Sequence, residues 1–280
     1  MVFGLIAACA AILAVLCCLL SGAFLNLHFL WQLPLNFLWI FLCLAVAVFL
    51  FVVICCACVD MKKVREKDSS FYRFVLSLCC DAIHSMLLMK VNVQGMEKLP
   101  KEGRMMLVCN HLHLLDPVVL LHIFRDKQLG FISKKENDKK FIIGPLLHMT
   151  MCQPIDREND REALKTILNC VKLLKEDEVS IGAFPEGYTS KDKLLHPFRY
   201  GVFKVAQKAQ VPIVVCTLRN THKAFRNILH LKGTEVELHV VDVIAPEAMK
   251  GQTTVQIGTA VYNMMATDLG PELVAPVAEG

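Results

Sequence analysis

The chain has 280 residues, 30 basic and 26 acidic, for a formal net charge of +4, and no Asp, Glu, Lys or Arg occurs before Asp60. From Asp60 onward the charge density is that of an ordinary soluble globular domain, so the high hydropathy belongs to the first 59 residues, and a multi-spanning transporter is excluded. The remaining 221 residues suffice for one substantial core without disulfide staples.

Residues 1–59 predict a two-helix membrane anchor. Two apolar segments, Met1 to Leu20 and Leu35 to Val59, flank the connector "SGAFLNLHFLWQLP". At ~1.5 Å per residue they reach ~30 Å and ~37 Å, against a hydrocarbon core of ~30 Å, so both are long enough to cross. Trp31, Pro34 and Trp39 also suit a hairpin that dips in and returns, because indole rings favour the headgroup level. Either arrangement puts the rest of the chain on the side of the N-terminus. The basic run "DMKKVREK" against an uncharged connector predicts that this side is the cytoplasm. A cleaved signal peptide is the rival for residues 1–20, but no basic residue precedes the apolar stretch. Cys9, Cys17, Cys18, Cys43, Cys55, Cys56 and Cys58, seven of the 13 cysteines, fall in these segments, where thiols pack as small apolar groups. The other six are scattered without metal spacing, which predicts a reduced cytosolic domain.

Residues 60–90 read as a basic juxtamembrane stretch and an amphipathic helix. "SSFYRFVLSLCCDAIHSMLLMK" places Phe71, Phe74, Val75, Leu78, Ala82, Ile83, Met86 and Leu87 on one face and Arg73, Ser77, Asp81 and His84 on the other. Two roles fit: a helix lying on the membrane surface, or one covering the core of the domain that follows.

Residues 91–280 alternate short apolar runs with longer periodic ones. "RMMLVCN", "QLGFIS", "VSIGAF" and "VPIVVCTL" predict buried strands; "DPVVLLHIF", "DREALKTILNCVKLLKED" and "RYGVFKVAQKAQ" predict helices. The fold class is therefore α/β, a mixed, mainly parallel sheet flanked by helices, whose working residues are expected just past the C-terminal ends of strands.

One such strand end reads "CNHLHLLDP", Cys109 to Pro117. On a regular helix His111 and Asp116 would lie ~140° apart, so they meet only in an irregular turn, which Pro117 favours by starting a helix there. A carboxylate on one imidazole nitrogen fixes the tautomer and leaves the other free to take a proton. An H-x-H metal site and a satisfied structural histidine are the competing readings. Taken alone, the pair does not decide among them.

Further blocks follow in order: "SKKE", "PIDR", "FPEGYTS", "PFRYG" and "VPIVV". Together with "NHLHLLD" they resemble the glycerolipid acyltransferases, specifically the 1-acyl-glycerol-3-phosphate acyltransferases, over about residues 85 to 245. The resemblance implies acyl transfer from acyl-CoA or acyl-ACP to the free hydroxyl of lysophosphatidic acid, making phosphatidic acid in phospholipid biosynthesis. His111 is then the candidate base and Asp116 its orienter. The resemblance nominates Lys134 and Arg157 for the acceptor's phosphate, and Glu186 with Gly187 for a strand-end turn beside the substrate. It implies no bound cofactor, no metal and no nucleic-acid partner, only membrane lipids, the acceptor and the thioester donor. No acyl-enzyme is required, and no G-x-S-x-G elbow is present.

Three departures stand out. Tyr188, Thr189 and Ser190 replace the family's T-R-S, so a basic phosphate contact is missing, for which Lys191, Lys193 or Arg199 are candidate substitutes. His113 stands where the family often has Ser, and "CQP" replaces a Gly before the I-D-R block. Acylation of a different lysolipid, or a non-catalytic lipid-binding protein on the same fold, are the alternatives these departures leave open.

Overall fold

The computed structural model describes residues 2–25 and 27–276. The chain divides into two compact units, Met1–Asp60 and Met61–Gly280.

The first unit is a helix pair, α1 (Val2–Leu20) and α2 (Phe29–Ala57), each long and apolar enough to cross a membrane. α1 buries the stripe Ile6, Ala10, Ala14 and Cys18, one residue per turn, and small side chains at three of those four positions let the helices approach closely. Asn36 of α2 donates to Cys18 Sγ at 3.6 Å, and the Phe3 and Phe41 rings meet at 6.2 Å. α2 begins six residues before the predicted Leu35, with Pro34 inside it. Pro34 removes one N–H, whose partner would be a carbonyl of the first turn, and the loss stays local while Phe29 to Leu33 continue the apolar helix.

The second unit opens with α3 (Ser70–Met86), capped by the Ser69 side chain, which accepts from Tyr72 N. Residues 61–90 thus belong to the same unit as the sheet rather than standing apart from it. α3 turns Val75, Cys80, Asp81 and His84 inward and leaves Phe71 and Phe74 exposed, so its more polar face meets the core. The reason is pairing. Asp81 binds His122 at 2.8 Å and Arg125 at 3.0 Å, and Arg73 binds Asp68 at 2.9 Å and the carbonyls of Leu129 and Thr150. Buried charges are tolerated where such partners wait.

The remaining elements, in chain order, are β1 (Met89–Gln94), β2 (Met106–Cys109), α4 (Asp116–Ile123), β3 (Leu129–Lys134), α5 (Ile143–Met149), β4 (Gln153–Ile155), α6 (Asp160–Lys175), β5 (Ser180–Ala183), α7 (Lys204–Ala209), β6 (Ile213–Arg219), α8 (Ala224–Leu229), β7 (Thr234–Ile244) and α9 (Thr254–Leu269). The sheet runs β1, β7, β6, β2, β5, β3, β4, with every neighbouring pair parallel except β6 and β7. β2 and β5 are buried throughout because helices cover both faces, which is why they read as unbroken apolar runs. One face carries Ile167 and Val171 of α6, Val205 of α7 and Val261 and Met265 of α9; the other carries Val119 and Leu120 of α4.

This order has a direct consequence for function. The C-terminal ends of β2, β5, β3 and β4 are consecutive along one sheet edge, so the loops that follow them share one rim. At ~4.8 Å per strand the rim from β2 to β4 is ~14 Å long, the scale of a phospholipid headgroup with its glycerol.

Candidate active site

The rim begins with Asn110, directly after β2. Its side chain is fully buried and grips β6 twice, donating to Leu218 O at 3.0 Å and accepting from Leu218 N at 2.7 Å. The loop that follows is irregular, as the spacing of His111 and Asp116 requires. Asp116 is the first residue of α4, Pro117 follows it, and the carboxylate folds back under the loop.

Asp116 is completely buried and accepts four hydrogen bonds. Oδ2 receives His111 Nδ1 at 2.8 Å, Leu112 N at 2.6 Å and His113 N at 2.7 Å, while Oδ1 receives Thr221 Oγ1 at 2.5 Å. Since the carboxylate oxygen acts here as acceptor, Nδ1 of His111 carries the proton and Nε2 keeps a lone pair. The ring lies flat on Phe184, with centroids 4.1 Å apart at 18°, and its side chain is 16% exposed. Nε2 faces Thr189 Oγ1 at 2.9 Å.

Glu186 holds two loops together. Its Oε1 accepts from His111 N at 2.7 Å and its Oε2 from His196 N at 3.0 Å, with 1% of the residue exposed. Burial pushes its carboxyl up to about 7, against the opposing pull of those two backbone bonds. Ser190 N donates to His111 O at 2.8 Å, and Lys193 Nζ donates to the carbonyls of Leu112 and Ser190 at 2.8 and 2.9 Å. Lys193 is thus committed to structure and does not replace the missing arginine. Gly187 sits at φ +81°, and a Cβ there would come within 2.9 Å of Arg199 Cδ, so the glycine both allows the turn and leaves room for that side chain.

The predicted phosphate ligands lie farther along the rim. Lys134 ends β3, is exposed and pairs with Glu136 at 3.1 Å. Arg157 follows β4 by two residues, is half-buried, and makes no hydrogen bond or ion pair among the described residues. Burial, and then the charge of Arg199, push its guanidinium below its ordinary range, while Glu136 acts the other way. Neither cation touches His111 or Asp116. The structure thus joins His111, Asp116 and Glu186 in one network and keeps Lys134 and Arg157 on the same sheet edge, apart from it.

Three contributors escape sequence reasoning: Asn110 as a strand pin, Thr221 as the second donor to Asp116, and Thr189 on the base. The N-H-x-x-x-x-D block contains the first, but nothing in it names Leu218 as the partner. His113 packs edge-on to Phe225 at 5.4 Å, and burial lowers its affinity for a proton. No group of three or more His, Cys, Asp or Glu among the described residues is arranged to hold a metal ion.

Comparison with known proteins places this rim in context. A family model described as Acyltransferase matches residues 90–219, which include all six predicted site residues. The 1-acyl-sn-glycerol-3-phosphate acyltransferase of Bacillus subtilis is 30% identical over 138 residues, 49% of this chain and 67% of that protein. A chloroplastic enzyme of the same name from Arabidopsis thaliana is 35% identical over 154 residues, 55% of this chain and 42% of that protein. The chain spans about half the length of the plant and algal relatives it matches. The crystal structure of PlsC from Thermotoga maritima, a 1-acyl-sn-glycerophosphate acyltransferase, superposes with a TM-score of 0.59 at 19% identity over 78% of this chain and 86% of that one, and so has the same fold.

Proposed function

The chain belongs to the acyltransferase family that contains the 1-acyl-sn-glycerol-3-phosphate acyltransferases, and we propose that it moves an acyl group from a thioester to the free hydroxyl of lysophosphatidic acid, making phosphatidic acid for phospholipid biosynthesis. The observation that carries this reading is the pair formed by His111 and the buried Asp116, with Nε2 turned toward the open rim. A hydroxyl is a poor nucleophile near neutral pH. Nε2 takes its proton as the oxygen attacks the thioester carbonyl, and returns that proton to the sulfur as the carbon–sulfur bond breaks. A base so placed contributes ~100-fold to ~10,000-fold. Asp116 holds the tautomer and stabilises the imidazolium that forms between the two transfers.

Arg157 is the favoured phosphate ligand. A half-buried cation with no hydrogen bond or ion pair among the described residues, beside a second cation, is relieved by a dianion, and guanidinium groups grip phosphate in two places at once. Arg199, whose charge is felt at Arg157, is the favoured substitute for the charge that Thr189 lacks, and Lys134 adds a third cation at the end of β3. The donor is acyl-CoA or acyl-ACP. The catalytic unit works on the cytoplasmic face of a membrane to which α1 and α2 attach it. The replacement of arginine by Thr189 favours one second reading, an acceptor with another headgroup.

The test offers the purified full chain in micelles a panel of lysolipids of one acyl chain and several headgroups, with acyl-CoA or acyl-ACP as donor. We expect lysophosphatidic acid to be preferred, and Arg157→Ala to raise its KM by at least about 10-fold, the loss of one charge-assisted contact. Preference for a headgroup other than a phosphate monoester, unaffected by Arg157→Ala, would favour the second reading.

A further inference from the structure

β6 runs parallel to β2, so the segment that follows it, residues 220–233, leaves the sheet at the same end as His111. β7 is antiparallel to β6 and β1 is in register with it, Met89 beside Thr234, so the chain leaving α3 arrives at that end too. Leu87 after α3, Leu115 before α4 and Ala224 of α8 pack into one small buried cluster. Outside it the same three segments expose Met86, Leu88, Leu114, Phe225, Leu229 and Leu231, the last two 82% and 88% open to solvent. Phe225 lies beside the active site, its ring 5.4 Å from that of His113, and Thr221 of the same segment donates to Asp116.

Two of these leucines are held out in a costly conformation. Leu88 sits at φ +48° and Leu231 at φ +55°, where a Cβ crowds the backbone and glycine is the ordinary choice. Neither gains burial in exchange. The turn is nevertheless tightly tied. The N–H groups of His230 and Lys232 donate to Asn227 O at 3.0 Å, that of Leu231 donates to Ile228 O at 2.9 Å, and Asn227 Nδ2 donates to Thr234 Oγ1 at 3.0 Å. Thr234 N in turn donates to Leu88 O at 3.1 Å, which joins the two turns. Strain of this kind, spent on presenting leucines to water, marks a surface that works outside water.

Charge names the partner. Lys223, Arg226 and Lys232 are exposed in this segment, and no Asp or Glu occurs between Asp192 and Glu235. Apolar tips ringed by cations match an anionic bilayer surface, in which leucines enter the acyl region and cations meet headgroup phosphates. A second copy fits less well, because a two-fold contact would set these cations against their own copies. We propose that residues 220–233, with Leu88 and Leu114, form a docking surface that seats the catalytic rim on an anionic bilayer. The docking goes beyond the acyltransferase reading and holds whichever headgroup the acceptor carries, while its effect on turnover rests on that reading. A tether alone leaves open the orientation of the unit it holds. This second contact fixes it, and an amphiphilic acceptor reaches the loop from His111 to Asp116 without crossing water.

The experiment reconstitutes the full chain in vesicles of phosphatidylcholine, with or without phosphatidylglycerol. Leu229→Trp is the only tryptophan, since Trp31→Phe and Trp39→Phe remove the native pair. Quenching of its emission by lipids brominated on the acyl chains is expected, stronger in the anionic vesicles and weaker in high salt. Lys223→Gln, Arg226→Gln and Lys232→Gln together should abolish the preference for anionic lipid. Leu231→Gly relieves the backbone, so its melting temperature should equal or exceed that of wild type. Its turnover of lysophosphatidic acid in vesicles should fall at least about 10-fold, the loss of one inserted leucine, while turnover in micelles stays within about twofold. An indole open to acrylamide and untouched by brominated lipid in both vesicles overturns the proposal. So does a lower melting temperature for Leu231→Gly, which would mean that protein covers the leucine. Self-association of the solubilised chain that Leu231→Gly abolishes would make the partner a second copy and overturn it as well. Quenching without acylation of any lysolipid supports the docking surface and overturns the acyltransferase reading. Acylation with an unquenched indole does the reverse, and the absence of both overturns both.

Discussion

Where β2 leads into α4, Asp116 accepts four hydrogen bonds and Asn110 fixes the strand end with two more, whereas at the end of β3 Lys134 meets one exposed carboxylate and after β4 Arg157 meets no hydrogen-bond or ion-pair partner among the described residues. Both regions lie on one sheet edge. The proposed function gives them different tasks, proton transfer in one and phosphate binding in the other. Proton transfer at His111 depends on angles and distances good to a fraction of an ångström, so backbone and side chains over-determine the ring. Holding a phosphate depends on unspent positive charge, which a fully satisfied network would lack. On the proposed function, the polar atoms are saturated where geometry would decide the rate and left open where the ligand would bring the countercharge.

Substitutions on the two sides should therefore fail in different ways. The largest expected effect is in the tight region. Asp116→Asn replaces an acceptor-only carboxylate with a group that also donates, which disturbs the tautomer of His111, and kcat should fall ~1,000-fold to ~10,000-fold in a thiol-release assay. A loss of less than tenfold would show that the carboxylate does not orient the base.

Next is Glu186→Gln. The amide accepts at one end only, leaving either His111 N or His196 N facing a donor, at a cost of ~1–3 kcal/mol in denaturant unfolding. The pH dependence sharpens the test. The folded protein holds the Glu186 proton up to about 7 against an ordinary value of 4.5, so between those values the folded state binds more protons than the unfolded one. Stability from this group is highest at the acid end, falls as pH rises through that window and levels off above it. The stability advantage of wild type over Glu186→Gln should shrink across the window. A constant or growing advantage would mean that burial does not govern this carboxyl.

The smallest effect is expected on the open side. Lys134→Ala removes an exposed pair, and the unfolding free energy should change by no more than ~0.5 kcal/mol. A loss as large as that of Glu186→Gln would erase the distinction between the two regions.

The same contrast explains what the sequence makes legible. β2, β5 and β6 stand out because strands covered on both faces become continuous apolar runs. β7 carries the other strand signature, the alternation of buried Thr234, Val236, Leu238 and Val240, which a search for continuous runs passes over. β4 is three residues with Pro154 among them, too short for any period to register. In α3, periodicity locates the helix but not the face turned inward, because that depends on His122 of the adjacent α4 and Arg125 just after it, which wait for Asp81. The site divides in the same way. His111 and Asp116 share one loop and can be paired by spacing and Pro117. Thr189, Thr221 and Leu218 reach that loop from 78, 105 and 108 residues away, and only the sheet order brings them there.

The central claim is that His111, and not its neighbour two residues on, is the base of an acyl transfer. The most direct measurement follows thiol release and lipid products by mass spectrometry for wild type, His111→Ala and His113→Ala, with an acyl thioester and lysophosphatidic acid in micelles. The account predicts phosphatidic acid from wild type, a loss of ~100-fold to ~10,000-fold in His111→Ala, and most of the activity retained in His113→Ala. Undiminished phosphatidic acid from His111→Ala would contradict it.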